Sequence, residues 1–173
     1  MKKALILIIT VIGILVGCEK DDICSDANAN TPHLIIRFYN ISNTNELKAV
    51  NNLKVNGVSN SEEIGITTTK DSIVLPLRVL NNNTLFTLTK DYTYNNNGTP
   101  DDTSDDIIGG NTDEITISYN NEQVFISRAC GYKNIYKNTN IGFTADSDNW
   151  ILNTEIKQTT IDNENNAHIH IYH

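Results

Sequence analysis

The chain has 173 residues, with 21 acidic and 13 basic side chains and a formal net charge of −8. This length suits one domain with a hydrophobic core. The acidic balance argues against duplex nucleic acid as a partner, because binding to phosphates needs clustered Lys and Arg.

Residues 1–17 have the three parts of a secretory signal sequence. Two lysines form the basic start, an apolar run follows, and Gly17 stands directly before Cys18. The apolar run is shorter than the roughly 20 residues that a membrane-spanning helix needs. A small residue before a cysteine at the end of such a run is typical of a bacterial lipoprotein signal. We therefore expect cleavage before Cys18 and lipid attachment to that residue.

Lipid on Cys18 predicts a protein that is anchored to a membrane rather than spanning it, because several acyl chains make the attachment effectively permanent. Removal of residues 1–17 deletes two lysines and no acid, so the net charge of −8 becomes −10 in the mature chain. Export also means an oxidising compartment. Cys24 and Cys130 remain there as an even pair, and we predict a disulfide between them.

Residues 18–32 are polar and read as a tether, and alternating apolar and polar residues begin directly after them. Leu34, Ile36 and Phe38 share one face of the first alternating segment, with the period of two that a half-buried strand requires. Further strands are predicted at 47–58, 72–80, 84–94, 114–119, 122–128, 150–161 and 167–172. We assign residues 33–173 to a single domain.

The predicted connections rest on turn chemistry. The Asn120-Asn121 pair between two alternating segments is the strongest hairpin signal, because Asn tolerates a positive φ. Pro76 cannot donate to a ladder, so its strand should lie at a sheet edge or carry a bulge. Residues 95–113 read as a long irregular loop, and 133–148 have no assignment.

Seven or eight short strands without a convincing amphipathic helix predict an all-β fold. We expect an antiparallel β-sandwich of immunoglobulin-like or prealbumin-like type. A small β-barrel is the alternative, because it is built from the same alternating strands.

Several segments carry a resemblance to a known family. They are Cys18 with the acidic run behind it and Cys24, PHLIIRFY at 32–39, NLKV at 52–55, SRACGYK at 127–133 and the tail 150–172. Together they resemble a family of Bacteroidetes lipoproteins known only as a domain of unknown function, and SRACGYK is the most specific part. The acidic run also resembles the export tag of such lipoproteins. The resemblance implies a lipid anchor in the outer membrane with display at the cell surface, or alternatively on the periplasmic face, and it implies no activity.

Two groups of residues, the C-terminal histidines and the acids of 101–106, could be considered as metal ligands, but neither predicts a metal site. His168 and His170 have the i, i+2 spacing that can place two imidazoles on one strand face, but a third ligand would have to come from a distant residue such as His33. The acids of residues 101–106 lack the spacing of an EF-hand calcium loop. We expect no metal site and no cofactor.

Catalytic motifs are missing from the sequence. It contains no G-x-S-x-G, H-E-x-x-H, Walker loop or G-x-G-x-x-G, and we name no catalytic residue. A glycosidase-like pair of carboxylates stays open, because acids are plentiful and nothing singles out two of them. Five aromatic residues offer a platform for glycan or peptide, although core packing uses the same residues. They are Tyr92, Tyr94, Tyr132, Tyr136 and Trp150.

These features together favour a membrane-anchored lipoprotein that serves as a non-catalytic binding or accessory domain. Its ligand is expected to be protein or glycan, presented to loops such as 95–113 and 133–148. The alternative is a hydrolase acting on glycan or peptide with an unrecognised carboxylate pair.

Overall fold

The computed structural model describes residues 24, 29–58, 64 and 68–173. The signal 1–17, Cys18 and most of the tether 18–32 lie outside the described residues. The chain divides into two compact units, one formed by Met1–Asn30 with Gln123–Lys133 and the other by Thr31–Glu122 with Asn134–His173. The described residues are nearly all β. In chain order the strands are β1 Leu34–Asn40, β2 Asn43–Leu47, β3 Val50–Gly57, β4 Thr68–Lys70, β5 Ser72–Leu75, β6 Asn83–Asn95, β7 Ile107–Ser127, β8 Gly131–Phe143, β9 Asn153–Ile156 and β10 Ile169–Tyr172.

The first sheet has the strand order β2-β1-β10-β9, with β5 also paired to β1. The pairing between β1 and β10 is parallel, with Ile36 opposite Ile169 and Phe38 opposite Ile171. The other pairs of this sheet are antiparallel. One parallel pair therefore interrupts an otherwise antiparallel sheet and joins two strands that are far apart in sequence.

The second sheet has the order β4-β3-β6-β7-β8. Its centre is a long antiparallel ribbon in which β6 is paired with β7 from Asn83–Ser118 to Asn95–Ile107. On its inner side Leu53 and Val55 of β3 are fully buried, because alternate residues of a strand point to opposite faces. The opposite side of β3, β6 and β7 is polar and rich in threonine.

Apolar side chains from both sheets share one core. Leu34, Ile36 and Phe38 of β1 are fully buried, as are Ile115 and Ile117 of β7 in the other sheet. These residues are the ones that the alternation assigned to the inner faces. Two sheets that share a core confirm the predicted sandwich, and the small-barrel alternative is wrong.

The predicted hairpin at Asn120-Asn121 is wrong. β7 runs through both residues without a turn, and neither has a positive φ. The side-chain amide of Asn121 donates instead to the backbone carbonyl of Val79. The turn lies later, between β7 and β8, where Gly131 has a φ of +70° that glycine adopts without strain.

Three further boundaries differ from the predictions. Residues 107–113, expected in an irregular loop, form the start of β7, and the unassigned segment 133–148 is mostly β8. β5 ends at Leu75, directly before Pro76, because proline cannot donate to the ladder. The last hairpin is present as β9 paired with β10, but its strands are shorter than predicted. No helix in the described ranges is long and apolar enough to cross a membrane.

Candidate functional site

A groove of about 360 Å³ lies on the outer face of the second sheet. Its floor consists of side chains that β3, β6 and β7 point away from the core, and its wall is the distal part of the β6–β7 ribbon. This volume lies at the lower end of the range for small-molecule sites in proteins. The lining residues are Lys54, Asn56, Thr87, Thr89, Tyr92, Ile108, Gly109, Gly110 and Thr112.

A bulge in β6 shapes the wall of the groove. The pairing with β7 changes register between Lys90 and Thr93, and Asp91 has a φ of +53°. Such a bulge bends a strand and re-aims its side chains. Gly110 lies opposite with a φ of +124°, and a Cβ there would come within 2.6 Å of Thr89 Cγ2 and 2.9 Å of the Lys90 carbonyl oxygen. Glycine is therefore required at this position by both backbone conformation and space.

The groove presents a cation, hydroxyls and an amide. Lys54 Nζ lies 3.1 Å from the Tyr92 hydroxyl and 4.3 Å from the centre of its ring. The hydroxyls of Thr89 and Thr112 are 2.7 Å apart and share a hydrogen bond. Asn56 Oδ1 is buried and has no hydrogen-bond partner among the described residues. A buried acceptor without a partner is costly in free energy.

The described lining of the groove contains no Asp, Glu, His or Cys. Among these residues the groups that general acid–base chemistry uses are therefore limited to Lys54 and Tyr92. The arrangement can hold a polar ligand, but these residues offer no carboxylate pair of the type that glycoside hydrolysis uses.

Two of the five aromatic residues considered for a platform are used by the core instead. Tyr136 and Trp150 belong to the core, where Tyr136 is fully buried and burial raises the pKa of its hydroxyl to about 12. Trp150 donates its indole N–H to the carbonyl of Leu88. Of the other three, Tyr92 lines the groove, while Tyr94 and Tyr132 are exposed on separate hairpins.

The histidines of the C-terminal segment serve the fold. His168 is fully buried: Nδ1 accepts from the backbone N–H of Ile35, and Nε2 lies 3.0 Å from the carbonyl of Asn163. His170 stacks on Tyr39, with ring centres 4.3 Å apart. His33 contacts Glu164 at 2.7 Å. In the part of the chain that the structure describes, no three His, Cys, Asp or Glu side chains are grouped closely enough to hold a metal ion.

The acids of the loop between β6 and β7 are used within the loop itself. Asp102 accepts from the backbone and hydroxyl of Ser104 at the start of a short 3-10 turn. Hydrogen bonds from Thr99 and Asn97 lower the pKa of Asp105. The carboxylates stabilise the turns, as Asp and Asn side chains commonly do in loops.

Asp113 is a buried carboxylate that the sequence did not single out. It lies on the inner side of β7, is fully buried, and accepts from the backbone N–H of Ile151 at 2.8 Å. Desolvation raises the pKa of its carboxyl group. The charge of Asp146 raises this pKa further, whereas hydrogen bonds from backbone groups and from Asn149 lower it. These hydrogen bonds hold the segment before β9 against the sheet. The sequence could have indicated its burial, because Asp113 lies two and four positions before Ile115 and Ile117 and therefore shares their inner face.

Cys24 and Cys130 form a disulfide-capable pair in the first unit, with Cα atoms 5.0 Å apart. Cys130 lies in the turn between β7 and β8, where its backbone N–H donates a hydrogen bond to the hydroxyl oxygen of Ser127. Cys18, the predicted lipid attachment site, lies outside the described residues.

The family model for a family of unknown function, DUF6452, matches residues 52–173, which is more than half of the chain. The chain belongs to DUF6452. The matched range includes every described residue that lines the groove and the SRACGYK segment at 127–133. Membership in DUF6452 confirms the expected domain of unknown function, whereas the lipoprotein part of the resemblance stays a prediction. No curated protein and no solved structure matches the chain.

Proposed function

We propose that this protein is a lipid-anchored, non-catalytic binding domain whose site is the groove on the outer face of β3, β6 and β7. The ligand class that the groove chemistry favours is a short, uncharged glycan. The anchor is proposed from the sequence of residues 1–18, and the binding site from the groove.

The observation that carries the binding site is the Oδ1 of Asn56, which is buried and has no hydrogen-bond partner among the residues that the structure describes. Removing an amide oxygen from water without a partner costs roughly 1–3 kcal/mol. A protein retains such a group where it is useful, and the use that fits a groove floor is to accept a hydrogen bond from a bound ligand. Sites built in this way reject analogues that lack the matching donor.

The neighbouring groups favour a glycan. A sugar presents hydroxyls that donate and accept at short spacing, and the floor offers Asn56 Oδ1 as an acceptor beside the hydroxyls of Thr89 and Thr112. Lys54 Nζ donates toward oxygen, as its contact with the Tyr92 hydroxyl illustrates. Ile108, two-thirds exposed at the rim, can cover the apolar face of a sugar ring. An uncharged ligand also avoids the repulsion that the chain's net charge of −8 imposes on anions.

A glycan panel tests the groove. Wild-type protein should bind at least one uncharged oligosaccharide by calorimetry, and Asn56→Ala should weaken that binding at least tenfold. Thr116→Val is the matched control, because Thr116 points from β7 to the same outer face but does not line the groove. Binding that Asn56→Ala leaves unchanged, or turnover of the oligosaccharide, would contradict the proposal.

Metabolic labelling tests the anchor. Labelled palmitate should enter the wild-type chain and not Cys18→Ala, and only the wild type should sediment with membranes. Cys24→Ala is the matched control, because it removes a nearby cysteine outside the signal. A Cys18→Ala chain that stays in the membrane fraction would remove the basis of the anchor.

A further inference from the structure

The tip of the β7–β8 hairpin, residues 123–133, carries two exposed aromatic side chains. Phe125 is 53% exposed and Tyr132 is 61% exposed, and their ring centres lie 5.2 Å apart at an angle of 65°. Edge-to-face pairs of this kind are common in cores, where they are shielded from water. Here about half of each side chain faces solvent, so the pair is available to another surface.

The proposed lipid places this tip near a membrane. Cys24 is paired with Cys130 in the turn of the hairpin, and Cys18 is six positions before Cys24. Whatever conformation the intervening residues take, six residues span at most roughly 20 Å, at about 3.3–3.6 Å per residue. With the Cα atoms of the cysteines 5.0 Å apart, the turn is held within a short distance of the acyl chains.

The composition of the tip suits a bilayer surface. Residues 123–133 include Arg128 and Lys133 and no acidic residue, in a chain whose net charge is −8. The tip is therefore not repelled by lipid phosphates. Tyrosine is enriched where an apolar ring meets the head groups and a polar end stays in water.

We propose that Phe125 and Tyr132 insert into the head-group region of the membrane that holds the lipid anchor, as a second contact beside the acyl chains. This inference rests on the lipid anchor of the proposed function and is independent of the groove. The hairpin tip then contacts the bilayer directly, so the tether is not the sole connection between the protein and the membrane.

Fluorescence quenching by brominated lipids tests the contact. Mature lipidated protein carrying Phe125→Trp is reconstituted into phosphatidylcholine vesicles with bromine on the acyl chains. After the emission of wild-type protein is subtracted, the signal of the introduced indole should shift to shorter wavelength and lose at least half of its intensity relative to vesicles without bromine. Tyr132→Trp provides a second probe on the same pair. Tyr94→Trp is the matched control, because Tyr94 is also exposed, at 55%, but lies on β6 in the other unit.

The native Trp150, buried in the core, contributes the same background to every variant. If both tip variants float with the vesicles but are quenched no more than Tyr94→Trp, the contact is overturned and the anchor stands. If the protein fails to float with the vesicles, both are overturned. Glycan binding, measured on the same vesicles, reports separately on the groove.

Discussion

The imidazole Nδ1 of His168 accepts a hydrogen bond from the backbone N–H of Ile35, with 3.0 Å between the two nitrogens. Nε2 lies 3.0 Å from the carbonyl oxygen of Asn163, so this nitrogen carries the proton and the ring is neutral. Protonation of Nδ1 would make it a donor that faces the N–H of Ile35, and this hydrogen bond would be lost. Burial lowers the pKa of His168, although the contact with Asn163 and the charges of Asp162 and Glu164 oppose the change. The neutral ring joins β1 to the segment that leads into β10.

This arrangement predicts loss of stability in mild acid. The pKa of His168 in the folded chain is below its ordinary value near 6.5, so the stabilising contribution is present above that value and is lost as the pH falls through the lowered pKa. His168→Asn keeps an acceptor near the Nδ1 position but does not titrate. Urea unfolding should show a smaller loss of stability between pH 7.5 and pH 5 for His168→Asn than for wild type. Equal losses in the two proteins would contradict this role for His168.

Asp113 should matter as an acceptor and not as a charge. Its raised pKa means that the folded state favours the protonated form, so this contribution to stability is present at low pH and is lost as the pH rises through the raised value. Asp113→Asn keeps an oxygen for the N–H of Ile151 and should be at least as stable as wild type at pH 7. Asp113→Ala leaves that buried N–H unpaired and should cost about 1–3 kcal/mol in denaturant unfolding. The exposed Asp101→Asn is the control.

Gly110 should tolerate no side chain. A Cβ there meets Thr89 Cγ2 and the Lys90 carbonyl oxygen at less than 3.0 Å, and the φ of +124° is unfavourable for any other residue. We expect Gly110→Ala to destabilise the domain by roughly 1–3 kcal/mol in thermal or denaturant unfolding. Gly142→Ala is a matched control, since the added Cβ would meet no described heavy atom within 4 Å apart from those of its chain neighbours, and the φ is not positive. Equal stability of both variants would show that the bulge is not tightly packed.

The Cys24–Cys130 pair predicts a large effect of reduction. The two residues are separated by 106 positions, and the chain-entropy treatment of a loop of this length gives about 4 to 5 kcal/mol, an upper value when native strain is present. Mass spectrometry of the digested, unreduced protein should show two peptides, one with Cys24 and one with Cys130, joined by a disulfide. Unfolding in urea should shift to lower midpoint after reduction. Free thiols at both positions in the mature protein would contradict the pairing.

The sequence predicted the parts of the fold that depend on local alternation. Ile115 and Ile117 are buried as their period requires, and so are Leu34 and Ile36. The turn predicted at Asn120-Asn121 was wrong because Asn tolerates a positive φ but does not require it. Both residues stay extended within β7. The parallel pairing of β1 with β10 was out of reach, since no local pattern encodes which distant strands become neighbours.

The groove was also beyond a reading of the sequence. Its shape depends on the register change in β6 and on the close approach of Gly110, which are set by pairing between strands. Asn56 looked like one outward residue among many in an Asn-rich chain. Asn121 Oδ1 is also buried without a partner among the described residues, so Asn56 is distinguished by combining that property with a place in the lining of the groove.

Glycan affinity and thermal stability, measured together for wild type and Asn56→Val, show whether the groove is a binding site. If Asn56 Oδ1 is kept for a ligand, Asn56→Val relieves the cost of the unpartnered oxygen, and valine suits a strand. We expect a midpoint of thermal unfolding equal to or above that of wild type, together with at least a tenfold loss of affinity for the oligosaccharide. A variant that binds as wild type does, or that loses binding only because it unfolds, would contradict the assignment of the groove as a binding site.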